Sequence, residues 1–477
     1  MIRLISKIAR WAVGSLLITL FLWVVIGNIV ANQKRKAARA QLEKIVEARL
    51  VNLPTYNDAA LKLIELTAPL GISLGNGDIQ IHPIDNYLTK QINFVVSSEK
   101  QLKLRNLQDK ASTYFEGTLF TSDDNLAPLP DEISEFLTAN QSIIRAIQAQ
   151  LANGVKPTWG FPPEYLKGFL DPNINTWELP LPSRLDLVNL EKILVLQVIS
   201  DDQSGNKAAV TKGLKASWNL ADSVNNDSTL ISPLIRIIIS NYMIVVERKL
   251  INYIPDDSSA KDFSQRTTNL LHQALELEGG ASQYSLAEYL SNAPVAKILS
   301  FDFETWASPD ERFSLRWLNI LRPIIQPYLF LSAINTWEVF TTNSDLAKGA
   351  NICEYSSFAT EIYGRNLGLW NSWTTGSVFD FYTQEHKAVY QQLAAELNHH
   401  ILSAKRIKKD TGKWPSTLSN LESKICPGET WLYKVETDGT LSITLSAESE
   451  YLQDLASSSP TRPTLDFRGK ASSGGGQ

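Results

Sequence analysis

Few residues in this chain have the type and spacing for chemistry. The sequence holds five histidines (His82, His272, His386, His399 and His400) and two cysteines, Cys353 and Cys426. Two thiols exclude a zinc site of four thiolates and a disulfide-rich scaffold. In an oxidising compartment Cys353 and Cys426 would pair and tie the Asn351 region to the C-terminal hairpin. In a reducing one they would be two separate buried thiols. Glu396 and His399 stand i, i+3 on a predicted helix, which puts two ligand types on one face. A di-metal bundle needs a second such pair and two more carboxylates, and the sequence has no second pair. H-E-x-x-H is absent as well. Glu396 and His399 therefore read as part of a solvated helix face.

Gly71-Ile72-Ser73-Leu74-Gly75 matches the G-x-S-x-G nucleophile elbow. That elbow needs a strand before the serine and a helix after it. Here a helical pattern precedes and a short strand-like run follows, so the segment reads as a helix C-cap and turn. Asp302 and Glu304 would share a face if Phe301-Asp-Phe-Glu-Thr-Trp306 were extended, as a glycosidase pair requires. Twelve tryptophans make sugar stacking conceivable, but aromatic residues spread through a helical pattern serve packing. No catalytic, cofactor-binding or metal-ligating residue is assigned, and no cofactor is expected. Lys plus Arg is 45 against 50 Asp plus Glu, a net charge of −5. That balance argues against a nucleic-acid partner.

The elements are more legible than the chemistry. After a basic leader (residues 1–10), no charge occurs from Trp11 to Gln33, and Trp11 to Val30 is almost wholly apolar. Twenty helical residues span about 30 Å, the thickness of the hydrocarbon core. The run is longer than a signal-peptide core, so we read 11–33 as an uncleaved transmembrane helix, with a cleaved signal as the alternative. Basic residues flank both ends (Arg3, Lys7 and Arg10; Lys34, Arg35, Lys36 and Arg39), so the positive-inside rule nearly balances. Leu230–Val246 and Leu318–Trp337 are also apolar, but Pro and Arg interrupt both. They read as buried helices of a soluble domain.

Residues 34–155 form juxtamembrane helices with a mixed insertion. One helix leaves the bilayer and stops at Pro54, and Asn57 and Asp58 can cap a second that starts at Ala59. From Gly71 to Pro130 short alternations such as Ile92 to Val96 suggest strand or extended loop. Residues 156–182 are a Pro- and Trp-rich connector. Residues 183–383 are a helical domain, with helices at Leu185–Ser200, Asn206–Val224 and Leu230–Tyr253 and four more to Phe340. A bundle is expected, with a short α-solenoid as the alternative. Residues 384–455 combine a long helix with a hairpin. The helix carries Val389, Leu393, Leu397, Ile401 and Ala404 on one face, and Gly412 closes it. Trp414 and Pro415 begin the turn, Trp431, Tyr433 and Val435 alternate on one strand, and Asp438-Gly439 is a two-residue hairpin turn. Leu441, Ile443 and Leu445 alternate on the return. The hairpin is expected to pack on the helix stripe with Trp414 at the corner, because a lone hairpin is marginal in water. Residues 456–477 read as a disordered tail.

Several short motifs resemble uncharacterised single-span bacterial membrane proteins that carry an all-helical extracytoplasmic region. They are the basic leader and single span, Tyr56-Asn-Asp-Ala-Ala60, Trp218-Asn-Leu-Ala-Asp222, Ser228-Thr-Leu-Ile-Ser-Pro-Leu-Ile-Arg236 and Ala404-Lys-Arg406. Gly412-Lys-Trp-Pro-Ser-Thr-Leu418, Trp431-Leu-Tyr433 and Asp438-Gly439 complete the set. The closing helix and hairpin are also similar to the C-terminal half of type II secretion pseudopilins. The chain departs from those proteins at its front, where Lys7-Ile8-Ala9-Arg10 is no prepilin cleavage region. The motifs cover less than a quarter of the chain. The resemblance implies topology and location, and it implies no activity.

The expected protein is mainly α. It has one transmembrane helix, a helical domain and a small hairpin packed on a helix. It would sit in the inner membrane with its C-terminal domain outside the cytoplasm. The leading function is a non-enzymatic interaction or structural subunit of an envelope or membrane complex, with the lipid bilayer and a protein as partners. The alternatives are a membrane-anchored hydrolase of envelope polymer and a secretion- or pilus-associated component.

Overall fold

A computed structural model describes residues 2–51, 53–74, 97–161, 163–170, 184–224, 229–255, 266–275, 323–328, 375–447 and 462–471, with single positions between them (264, 277, 278, 281, 284, 331, 353, 452, 453 and 455). The first element, α1, is an unbroken helix over Ile2–Leu50. It joins the apolar run to the Ala-, Lys- and Glu-rich stretch after it, all strong helix formers. Among the described helices it alone is long and apolar enough to cross a membrane. Trp11, Leu17, Phe21, Leu22, Ile26 and Ile29 all project outward from it.

The chain then turns at Pro54 into α2, Asp58–Thr67. The expected cap is present, with the Asn57 side chain accepting from the Ala60 N–H at 2.9 Å. Gly71 stops this unit in the left-handed conformation, φ +91°, where a Cβ would be strained. The strand-like alternations at Ile79–Ile81 and Ile92–Val96 lie outside the described residues. The stretch just after them corrects the mixed reading, because Ser98–Tyr114 is helix α3. Ser97 caps α3 through Lys100 N–H. Its polar surface hid the period, since only Leu104, Leu107, Ala111 and Tyr114 face the core. The helix expected from Asp131 to Leu151 is two helices, α4 (Asp131–Ala139) and α5 (Gln141–Asn153), broken at Asn140.

The described part of the Pro- and Trp-rich connector, residues 156–161 and 163–170, wraps back onto the start of the domain. Phe161 N–H donates to Pro54 C=O and Asn57 N–H to Thr158 C=O. Trp159 is buried, with its indole N–H on Ser223 Oγ at 2.9 Å. A short helix, α6 (Pro163–Gly168), lies within it, and residues 171–182 lie outside the described residues. The three helices α7 (Leu185–Gln203), α8 (Lys207–Ser223) and α9 (Ile231–Lys249) follow as expected. α8 packs on α5, α7 and α9 together. A solenoid would confine contacts to neighbouring repeats, so the arrangement is a bundle. α9 is buried nearly all round, the signature of a central helix rather than a lipid-facing one. Its Pro233 sits in the first turn, where no N–H is needed. Of the later expected helices, 285–299 and 310–321 lie outside the described residues.

The long helix α10 spans Thr375–Thr411 and is capped by Gly412 at φ +75°. Three strands follow: β1 (Trp431–Val435), β2 (Leu441–Leu445) and β3 (Asp466–Gly469), all antiparallel in the order β1-β2-β3. The expected hairpin is present as β1 and β2. A third strand extends it into a small sheet and corrects the disordered-tail expectation, because 466–469 pairs with β2. Phe467 faces Ile443 in the ladder, and its polar neighbours masked it as a strand residue. The turn is also one residue longer than expected. Gly439 N–H donates to Glu436 C=O at 2.9 Å, and Glu436 N–H to Thr440 C=O at 2.8 Å. Gly439, at φ +80°, closes a three-residue loop, a turn followed by a left-handed glycine.

Candidate functional site: the C-terminal sheet module and the N-terminal helix

Cross-strand register places Trp431 opposite Leu445, Tyr433 opposite Ile443 and Val435 opposite Leu441. Directly opposed residues project to the same side, so the two alternating rows form a single apolar face. It meets the α10 stripe as expected. Tyr390, Leu393, Leu397, Ile401 and Ala404 pack with Trp431, Leu441, Ile443 and Phe467 in one core. Val389 packs at its edge. Trp414 occupies the corner, its indole N–H on Lys470 C=O at 2.9 Å and the Lys408 ammonium 3.9 Å above its ring. A Cβ at Gly469 would lie 2.5 Å from that ring. Pro415 C=O accepts from the Tyr433 hydroxyl at 2.6 Å. Asp438 accepts from Thr440 N–H at 2.8 Å, which closes the turn and pulls its carboxyl below the usual range.

Cys353 and Cys426 form a disulfide, with Cα atoms 5.8 Å apart. It pins residue 353 to the loop before β1.

Glu396 is the residue whose role the sequence hid. It is not a ligand on a solvated face. Its carboxylate accepts from Ser423 Oγ at 2.7 Å, Lys424 N–H at 2.8 Å and Trp431 Nε1 at 3.1 Å, fastening α10 to the sheet. His399 is exposed beside it. His400 is buried against Trp431, ring centroids 6.0 Å apart, and burial pushes its pKa down to about 4. His386, also buried, is pushed to about 4 for the same reason. Both are neutral at pH 7.

The module is tied to the helical body. Arg468 N–H donates to Ser122 C=O at 2.8 Å, and Lys470 N–H to Asp124 at 3.0 Å. Lys405 reaches the C-terminus of α9, donating to Arg248 C=O and, at 3.0 Å, to Leu250 C=O. A cation at a helix C-terminus satisfies carbonyls left without partners. Burial brings the Lys405 pKa down to about 8. Glu247 accepts from Trp218 Nε1 at 3.0 Å and Asn398 Nδ2 at 2.8 Å, joining α8, α9 and α10. Deeper in the bundle, Asp222 sits 2.7 Å from Lys156 and 3.0 Å from fully buried Arg236. Burial opposes its charge, yet Lys156, Arg236 and Arg266 outweigh it and hold the carboxyl below its usual range.

A second core surrounds the exit half of α1. Ala31, Ala38, Leu42 and Val46 pack on Phe161, Tyr165, Leu166 and Phe169. The aromatic trio stacks edge to face, with centroids 5.3 and 4.9 Å apart.

For catalysis the arrangement offers little. Ser73 follows a helix-capping Gly71, the reverse of an elbow, and Gly75 lies outside the described residues. Asp302, Glu304 and His82 lie outside them too. Among the described residues no three His, Cys, Asp or Glu side chains are grouped to hold a metal ion. Burial raises the pKa of the Glu191 carboxyl in α7 well above its ordinary value. No family model matches the chain, and no curated protein or solved structure matches it.

Proposed function

We propose that this protein is a single-pass membrane subunit that holds a helical domain and a rigid sheet module at the outer face of the cell membrane for assembly with a protein partner. The observation that carries the reading is α1. One unbroken helix offers a charge-free, outward-projecting apolar length that matches a bilayer, then continues without a hinge into the second core. Such a helix transmits position and orientation from the membrane to the domain, which is what a structural subunit requires. The Cys353–Cys426 disulfide supports an extracytoplasmic domain, because structural disulfides persist in oxidising compartments. It tips a topology that the balanced flanking charges leave open.

Co-purification from detergent-solubilised membranes tests the function. A stoichiometric partner that stays through size exclusion supports the subunit reading. A chain that elutes alone, under conditions where other complexes survive, counts against it. Protease treatment of spheroplasts tests the topology. Digestion of the domain places it outside, and full protection reverses the orientation. The secretion-associated alternative draws on the order of long helix then small sheet over 375–469. A secretion or pilus protein among the co-purified partners would favour it.

A further inference from the structure

Residues 323–328 are helical and lie directly against α1. The Trp23 indole N–H donates to Ile324 C=O at 2.9 Å. Gly27 is where the two backbones approach. A Cβ built there would stand 2.9 Å from Pro327 Cβ. Ile325, Tyr328 and Leu331 continue the contact onto the core around Ala31 and Leu42. Trp23, Gly27 and Ala31 fall on one helix face, spaced by four. Gly27 to Ala31 is a small-x-x-x-small pair, the spacing that admits close approach inside a bilayer.

The depth of that contact matters. Arg10 and Lys34 bracket the charge-free run, which is apolar to Val30. At 1.5 Å per residue Trp23 lies about 10 Å, and Gly27 about 5 Å, inside the Val30 boundary. A segment bonded to Trp23 and packed on Gly27 shares that depth. Interfacial elements settle about 5–10 Å into the headgroup and acyl boundary. The sequence suits the location. Pro323 to Leu331 (PIIQPYLFL) has no charge, Arg322 precedes it, and Tyr328 is a residue type that favours the interface. Phe21, Leu22, Val25 and Ile26 on the same stretch of α1 are exposed, so the segment extends an apolar surface already turned to lipid. Pro327 has no N–H, and a Trp23 N–H on the preceding turn satisfies a carbonyl where water is scarce. This places the Pro- and Arg-interrupted stretch differently from α9, the buried soluble helix it resembles in composition.

We infer that residues 323–328, with Leu331, form a second membrane contact. They are an interfacial segment in the leaflet where α1 exits, keyed to Gly27, and phospholipid covers exposed Pro323 and the part of half-buried Ile324 and Ile325 that the protein leaves open. The inference rests on α1 being a membrane span, and the test separates the two. The full chain is reconstituted in vesicles of phosphatidylcholine and phosphatidylglycerol containing nitroxide-labelled lipid. The native cysteines are paired, so a third cysteine can be labelled selectively without reductant. Three variants carry an environment-sensitive fluorophore: Val25→Cys on α1, Ile324→Cys on the segment, and Leu432→Cys on the exposed side of β1. Quenching at 25 and 324 but not at 432 is the expected result. Quenching at 25 alone overturns the inference and leaves the anchor standing. Quenching at neither overturns both. Gly27→Leu should then push the segment away, so that quenching at 324 is lost while quenching at 25 remains. Unchanged quenching at 324 in that background overturns the Gly27 keying.

Discussion

The C-terminal sheet module and the core around the exit half of α1 are both apolar clusters on a long helix, yet they are held differently. In the sheet module most large aromatic residues have a directional partner. Trp431 has Glu396, Trp414 has Lys470 C=O, Tyr433 has Pro415 C=O, and Tyr390 has Pro463 C=O at 2.8 Å. A disulfide crosses its edge. Around α1 the packing is carried by Leu42, Val46 and an edge-to-face aromatic trio, with Tyr165 donating to Glu278 at 3.3 Å. The first unit specifies one geometry through hydrogen bonds. The second depends on shape and burial, and it merges into the exposed apolar surface of α1.

Removing the disulfide should have the largest effect. It closes a loop with a sequence separation of 73, for which chain entropy gives about 4 kcal/mol. Cys426→Ser should lower the unfolding midpoint of the sheet module accordingly, read by denaturant titration followed through tryptophan fluorescence. An unchanged midpoint would mean that the module's own core suffices. Leu397→Ala comes next, at about 3 kcal/mol within a general range of about 2–5, because Leu397 is fully buried. Leu42→Ala, equally buried, should cost a similar amount but loosen the α1 core and leave the sheet intact. Hydrogen exchange would separate the two, and identical protection maps would erase the distinction between the units.

Glu396→Ala should cost about 2 kcal/mol, since it strands an indole N–H, a backbone N–H and a hydroxyl. Glu396→Gln should recover part of that loss, because it keeps one acceptor oxygen at the same place. Equal destabilisation by both variants would mean that charge matters more than geometry. A further effect is on pH dependence. The His400 pKa is lowered by burial to about 4 from an unfolded value of about 6.5. A base with a depressed folded pKa contributes stability that is present above the unfolded pKa and lost as pH falls toward the folded one. The sheet module should therefore loosen progressively between about pH 6.5 and 4. His400→Leu should flatten that slope, as read by melting temperature across the range, and an unaltered slope would assign the effect to His386.

The sequence displayed most of the helices and little of the site. Periodicity exposed α7, α8, α9 and the α10 stripe because each buries a regular row. It missed α3, whose four buried residues are spread among charged ones. It missed β3, where Phe467 is the one large apolar side chain. A short strand needs its partner before its pattern carries meaning. Glu396 was visible only as half of a metal-like spacing, since nothing in the sequence says that Ser423 and Trp431 return to it. Residues 323–328, set beside α9, show the same limit. Both come from apolar stretches interrupted by Pro and Arg, and the neighbours of the described residues distinguish them.

The amino-acid order alone determined the charge-free 20-residue run, the caps at Asn57 and Gly412, the alternation of Trp431, Tyr433 and Val435, and the pairing partners open to two cysteines. These are local or near-local properties, set by dihedral preference and by periods of two and 3.6 residues. Tertiary structure decided which helix is central, what Glu396 and Lys405 satisfy, where the C-terminal strand docks, and that residues 323–328 lie on Gly27. Each of those joins groups far apart in the chain, and burial leaves such groups a partner only once the chain has closed around them.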